Sequence, residues 1–189
     1  MAAYPPAEAC DDLERRLAGL SFARAAERGV NARPARRETW HVTLAFLGEV
    51  AEDRGAAAVA AVERAAGAWR ARGAEPPELR LAGGGRFGRG RFTVLWVGLD
   101  GDREPLTGLA RQMRRELKRA RLPYDDRPFK PHLTVARPGD RLEPDQLAAD
   151  RDALAAYRGP AWPVREIRLV RSHLGPKPWY EPLATVPLT

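Results

Sequence analysis

Cysteine is nearly absent. Cys10 stands alone among 189 residues, so no internal disulfide can form and no thiolate cluster offers metal-ligand spacing. No apolar run approaches the roughly 20 residues that a membrane-spanning helix needs. The opening stretch, Met1-Ala2-Ala3-Tyr4-Pro5-Pro6, has neither a basic region nor an apolar segment and reads as no export signal. A cytoplasmic, metal-independent protein is the expectation. Lysine is scarce too: only Lys118, Lys130 and Lys177 are lysine among 32 basic residues, while alanine is abundant. That skew reads as a coding bias toward Arg and Ala. The net charge of +7 and pI near 10.3 are compatible with a polyanionic ligand, and equally with an ordinary solvated surface.

Histidine is the third scarcity and the most informative. Of three in the chain, two open near-identical octapeptides, His41-Val42-Thr43-Leu44-Ala45-Phe46-Leu47-Gly48 and His132-Leu133-Thr134-Val135-Ala136-Arg137-Pro138-Gly139. Each is a His-apolar-Thr-apolar unit, and the copies also agree at the alanine and the glycine. With seven threonines in 189 residues, a given His meets Thr two places on about once in 27 by chance. On a strand, residues i and i+2 share a face. His41, Thr43 and Ala45 are therefore expected on one face, with Val42, Leu44 and Phe46 toward the core. The same alternation sets His132, Thr134 and Ala136 against Leu133 and Val135.

Hydrophobic content of 44% with 30% charged residues is ordinary for a globular chain. Apolar spacing predicts helices over 7–29, 52–72, 105–122 and 144–157. Strands are expected over 39–47, 78–81, 92–99, the second histidine unit, 164–172 and 179–186, with Gly83-Gly84-Gly85 flexible and a turn at Gly175-Pro176. No composition break suggests a linker. The element order favours one α+β bilobal domain over 1–189: two similar lobes of antiparallel sheet flanked by helices, pseudo-twofold related around a central cleft, with one histidine unit on a strand of each.

Two imidazoles and two hydroxyls meeting across such a cleft suit a reaction that needs a general acid and a general base near neutral pH. Hydrolysis of a cyclic phosphodiester is of that kind, with the threonine hydroxyls donating to phosphate oxygens. A single His-x-Thr is usually a satisfied polar pair; two matched copies argue for chemistry. Zinc at His41 and His132 would need a third ligand that no neighbouring Cys, His or carboxylate pair nominates. His173 lies in no such unit and reads as a surface or structural residue.

At these residues the chain resembles the 2H phosphoesterase superfamily, and within it the RNA 2′,3′-cyclic phosphodiesterases of bacteria and archaea, also called 2′-5′ RNA ligases. The likeness extends through Glu38-Thr39-Trp40-His41 to Gly48-Glu49-Val50, Val94-Leu95-Trp96-Val97-Gly98, Arg127-Pro128-Phe129-Lys130-Pro131-His132 to Arg137, and Arg171-Ser172-His173-Leu174-Gly175-Pro176 with Tyr180-Glu181. The resemblance implies that His41 donates a proton to the leaving O3′, that His132 accepts one from water, and that Thr43, Thr134 and Arg137 bind the phosphate. It implies a 2′-phosphate product and no metal or nucleotide cofactor. The implied partner is RNA with a 2′,3′-cyclic phosphate end, or a cyclic nucleotide, acted on by a monomer with no membrane. Alternatives are 2′-5′ ligation or 2′-5′ linkage cleavage at the same site, or a non-catalytic RNA-end-binding module.

Arg137 carries a tension, because strict alternation puts it on the face of Leu133 and Val135 unless a bulge near Pro138 re-aims it. Phe129 and Tyr180, with Trp40 and Trp179, are candidates to stack a base. Arg86, Arg89 and Arg91 beside the glycines are candidates to track an RNA backbone. The chain departs from the family pattern in its short segment before Pro5-Pro6, which leaves the edge of one sheet in doubt, and in having His at 173.

Overall fold

A computed structural model describes residues 1–173, 175 and 178–189. Pro176 of the expected turn, and Leu174 with it, lie outside the described residues. Eight strands form two antiparallel sheets of four. The first has the order β2-β1-β7-β8, from Ala2–Ala3 (β1), Val42–Thr43 (β2), Glu166–His173 (β7) and Trp179–Pro187 (β8). The second runs β5-β4-β3-β6, from Glu78–Phe87 (β3), Val94–Gly101 (β4), Leu133–Ala136 (β5) and Arg158–Pro163 (β6). The two histidine strands β2 and β5 are thus the edges of different sheets. The short opening segment does build a strand: Ala2 pairs with Thr43 and with Arg168, so β1 lies inside its sheet.

Segment 33–35 pairs with the β5 edge, and the loop before β5 meets the chain that follows β2. Ala35 N donates to the Val135 carbonyl (2.8 Å) and Arg137 N to the Arg33 carbonyl (3.0 Å), while Asp125 N reaches the Phe46 carbonyl (2.8 Å). Helix α3 (Gly55–Arg70) packs on β7, β8 and α4 (Arg103–Arg119). Helices α1 (Ala7–Ala18) and α5 (Pro144–Ala155) cover the second sheet. Their buried leucines and alanines join one apolar cluster that runs through both halves. No helix among the described residues is long and apolar enough to cross a membrane.

Three expectations are corrected. The first helix breaks after Ala18 and restarts as α2 (Ser21–Glu27), because the buried carboxylate of Asp150 on α5 accepts the α2 amides Ser21 N (2.7 Å) and Phe22 N (2.9 Å). A carboxylate at a helix N-terminus satisfies amides that have no partner inside the helix. The triplet Gly83-Gly84-Gly85 is not a flexible loop but the middle of β3. A Cβ on Gly84 would stand 2.7 Å from both the Leu154 Cβ and the Trp96 carbonyl, so glycine is there for close approach. Finally, the expected strand 39–47 shrinks to Val42–Thr43, preceded by a 3₁₀ turn over Arg37–Thr39.

Candidate active site

His41, Thr43, His132, Thr134 and Arg137 all line one cleft of about 1360 Å³ between the two sheets. Both histidines are held by the same device. The 3₁₀ turn aims the Thr39 carbonyl at His41, whose Nδ1 donates to it at 2.8 Å, and His132 Nδ1 donates to the Lys130 carbonyl at 2.7 Å. A carbonyl only accepts, so each Nδ1 carries hydrogen and each Nε2 is left as the nitrogen that exchanges a proton. Carbonyl anchoring of one ring nitrogen thus fixes both the tautomer and the ring orientation of the other.

The rings are framed by aromatics. Tyr180 meets His41 edge-on (centroids 4.8 Å, 78°) and Tyr4 lies at 5.7 Å. Phe87 meets His132 edge-on (4.9 Å, 84°), with Trp96 at 6.3 Å stacked on Phe87. Burial pushes the His41 pKa down from 6.5; the Thr39 hydrogen bond opposes this, and the positive charges of Met1 and His132 add to the lowering. Both imidazoles line the same cleft. Neither the Thr43 nor the Thr134 hydroxyl is committed to a protein hydrogen bond among the described residues, which leaves both free to donate to a ligand.

Alternation fails in both motif copies, and in the same way. Leu44 N and Ala45 N both donate to the single Met1 carbonyl (2.9 and 3.3 Å), so the chain slips by one residue after Thr43. Leu44 and Ala45 are then both buried, and Phe46, expected in the core, is 59% exposed on the cleft. In β5 the pairs Trp96–Thr134 and Leu95–Ala136 show an extra residue, Val135, on one strand. That bulge turns Ala136 to the buried face of Leu95 and swings Arg137 into the cleft. Strict alternation was therefore wrong for Phe46 and Ala136, and the bulge that re-aims Arg137 sits at Val135 rather than beside Pro138.

The aromatic candidates separate. Tyr180 lines the cleft, whereas Phe129 packs its ring against the core and does not. Trp40 is buried, with its indole Nε1 donating to the Ala35 carbonyl at 3.0 Å. Trp179 pairs with His173 in register and, one residue out of phase with Tyr180, stacks on His173 (4.0 Å, 4°) outside the cleft lining. His173 Nε2 meets Glu181 at 2.8 Å, a structural pair. Among the described residues no three His, Cys, Asp or Glu side chains cluster as metal ligands. Sequence reasoning missed Phe46, Phe87, Tyr4 and the cleft cations Arg33, Arg36 and Arg171. Only Phe46 had a signal, its place five residues after His41, matching Arg137 after His132.

Comparison with known proteins supplies the family. The family model described as the 2′-5′ RNA ligase superfamily matches residues 5–176. An RNA 2′,3′-cyclic phosphodiesterase of Geobacillus stearothermophilus is 36% identical over 152 residues, covering 80% of this chain and 46% of that protein. Against this relative, then, the chain spans less than half the length. One of the same name from Archaeoglobus fulgidus is 32% identical over 174 residues, covering 89% of this chain and 86% of its own. Among solved structures, TT0787 of Thermus thermophilus superposes with a TM-score of 0.70 at 28% identity, over 99% of this chain and 95% of that one. Escherichia coli LigT complexed with NADP+ gives 0.71 at 25% identity, over 98% and 94%.

Proposed function

The chain belongs to the 2′-5′ RNA ligase superfamily, and from that premise we propose that it hydrolyses RNA or nucleotide 2′,3′-cyclic phosphate ends to 2′-phosphates, using 1–189 as one bilobal domain. The observation that carries the reading is the matched pair of imidazoles, each with Nδ1 tied to a carbonyl two residues back and Nε2 left to exchange a proton. His132 Nε2 takes a proton from water, the water oxygen attacks phosphorus, and the P–O3′ bond breaks. His41 gives its Nε2 proton to O3′. Each proton transfer is worth roughly 10²–10⁴ in rate.

Thr43, Thr134 and Arg137 hold the non-bridging oxygens, where donors already in place stabilise the extra charge of the transition state. Burial lowers the His41 pKa, which by itself disfavours the acid role. The substrate removes that difficulty: an anionic phosphate beside the ring favours its protonated form, so the cyclic phosphate recruits its own acid. Phe46, exposed on the cleft, offers a face on which the terminal base stacks.

Incubating the protein with 2′,3′-cyclic AMP in EDTA tests this directly, with 2′-AMP as the expected product. No turnover refutes the hydrolase, and 3′-AMP refutes O3′ as the leaving oxygen on the His41 side. His41→Asn and His132→Asn should each cost about 10²–10⁴ in kcat while the fold is kept. His173→Ala should cost nothing, since it lies outside the cleft lining.

A further inference from the structure

His132 needs more holding than its one anchor gives. The residue is half-buried, and its Nδ1 bond to the Lys130 carbonyl stands open to solvent, whereas the matching bond of His41 is part-buried. Water competes for an exposed hydrogen bond, so such a bond holds a ring only weakly by itself. Two aromatic rings stand against the imidazole as well. Phe87 lies 4.9 Å from it at 84°, and Trp96, stacked on Phe87 (5.0 Å, 26°), lies at 6.3 Å.

The sheet is cut to seat that pair. Gly85, Trp96 and Thr134 form one row across β3, β4 and β5, each directly opposite the next. Residues opposite one another share a face, as do residues two apart on a strand. Trp96 and Phe87, two places after Gly85, therefore project on the same side as Thr134, which lines the cleft. With no side chain at Gly85, the indole lies across that backbone. A Cβ there would stand 2.7 Å from Trp96 Cζ2, and its next two nearest atoms are also of the indole, at 3.2 Å. A Cβ on Gly98 would reach Trp96 Cζ3 at 3.4 Å. Trp96 Nε1 is buried and makes no hydrogen bond among the described residues, so the indole serves there as a flat surface and not as a donor. Phe87 has no polar atom at all. Neither ring therefore competes for the proton that His132 exchanges.

We propose that Phe87 and Trp96 are positioning residues for His132: the stacked pair, seated on Gly85 and Gly98, holds the imidazole in the plane from which Nε2 meets the attacking water. The inference rests on the hydrolase reading. Freed of the pair, the ring turns about its Cβ–Cγ bond, and Nε2 leaves the line that runs through phosphorus to O3′. An edge-to-face contact favours its own geometry by about two- to tenfold, and a misplaced reacting group costs up to about 10²-fold in rate.

Phe87→Leu keeps the apolar bulk and removes the ring. It should lower kcat for 2′,3′-cyclic AMP about tenfold while KM changes less than about twofold, and Phe87→Tyr should recover most of the loss. Gly85→Ala is the remote arm, since its methyl meets the indole first; it should lower kcat at least about threefold, again at constant KM. Nitrogen-15 NMR at about pH 8, where imidazoles are neutral, follows the ring without any turnover. His132 should carry its hydrogen on Nδ1 in the wild type and populate the Nε2 tautomer in Phe87→Leu and Gly85→Ala, while His41 keeps its shifts in both; general loosening of the fold would move both histidines. Unchanged kcat in Phe87→Leu, a fall that Phe87→Tyr does not restore, or His132 nitrogen shifts equal to wild type overturns the inference. So does a rise in KM with kcat intact, which would assign the rings to substrate binding. Failure of wild-type hydrolysis with the tautomer change intact refutes the hydrolase reading instead.

Discussion

Arg137→Met is the sharpest test of the cleft, because the structure predicts opposite outcomes for function and for fold. Among the described residues its guanidinium has no hydrogen bond or ion pair, and the residue is anchored only through its main chain, by Arg137 N to the Arg33 carbonyl (3.0 Å) and Arg33 Nε to the Arg137 carbonyl (3.1 Å). Methionine keeps the length and the apolar stem and removes only the charge. An exposed side chain with no partner should change stability by less than about 0.5 kcal/mol. A hydrogen bond from a cation to a phosphate oxygen is worth about 1.5–3 kcal/mol, a loss of about ten- to a hundredfold in kcat/KM. The assay is initial-rate hydrolysis of 2′,3′-cyclic AMP in EDTA, read beside thermal unfolding. A kcat/KM within threefold of wild type would show that the bulge aims Arg137 at nothing. A large fall in Tm would show that its role is structural. Arg137→Lys should recover only part of the loss, since a point charge replaces a planar fork.

The remaining expectations are quickly checked. Gly84→Ala should destabilise by about 1–3 kcal/mol, because its Cβ would meet Leu154 and Trp96 at 2.7 Å, whereas Gly67→Ala inside α3, with only the Arg70 side chain at 3.9 Å, should stabilise by about 0.5–1 kcal/mol; thermal melts of the pair decide. Burial lowers the folded pKa of His41 below 6.5, so the unfolded chain binds more protons near and below that pH, and stability should fall as pH drops through 6.5; denaturant midpoints should lose this component in His41→Asn. NMR titration of the His41 ring should give a pKa below 6.5 in the free protein and a higher one with 2′-AMP bound, and an upward shift in the free protein would contradict the burial argument. Phe46→Ala should raise KM for 2′,3′-cyclic AMP, by about 1–3 kcal/mol of lost stacking, without lowering Tm, because its ring is already exposed; a lower Tm would return it to the core.

What was legible in the sequence follows the range of the forces involved. Leu106, Leu109, Met113 and Leu117 repeat at helical spacing and all are buried on α4, because that pattern is set within a few turns. The break between α1 and α2 was illegible because its cause, Asp150, sits about 130 residues away on α5. Three consecutive glycines read locally as a flexible link; only the approach of Leu154 and Trp96 from other elements makes them strand. The partners of the histidines behaved likewise. The carbonyls that hold them are two residues back, whereas Phe87 and Tyr180 reach them only through the sheets.

The most consequential failure was the simplest rule. Alternation by two, carried along each motif, put Phe46 in the core and left Arg137 on the wrong face. Yet both copies slip at the same place, at the fourth motif residue, where Leu44 with Ala45 and Val135 with Ala136 are buried as consecutive pairs. The alanine shared by both copies suits this arrangement, since a small side chain follows a buried neighbour into a packed interior with little risk of a clash. The slip delivers the sixth residue of each copy, Phe46 or Arg137, to the cleft. One backbone device, used twice, thus places an aromatic face on the side of His41 and a cation on the side of His132. A pocket built by repetition becomes asymmetric through a single side-chain difference, and under the proposed hydrolysis that asymmetry is what would let two equivalent imidazoles take opposite roles on one phosphate.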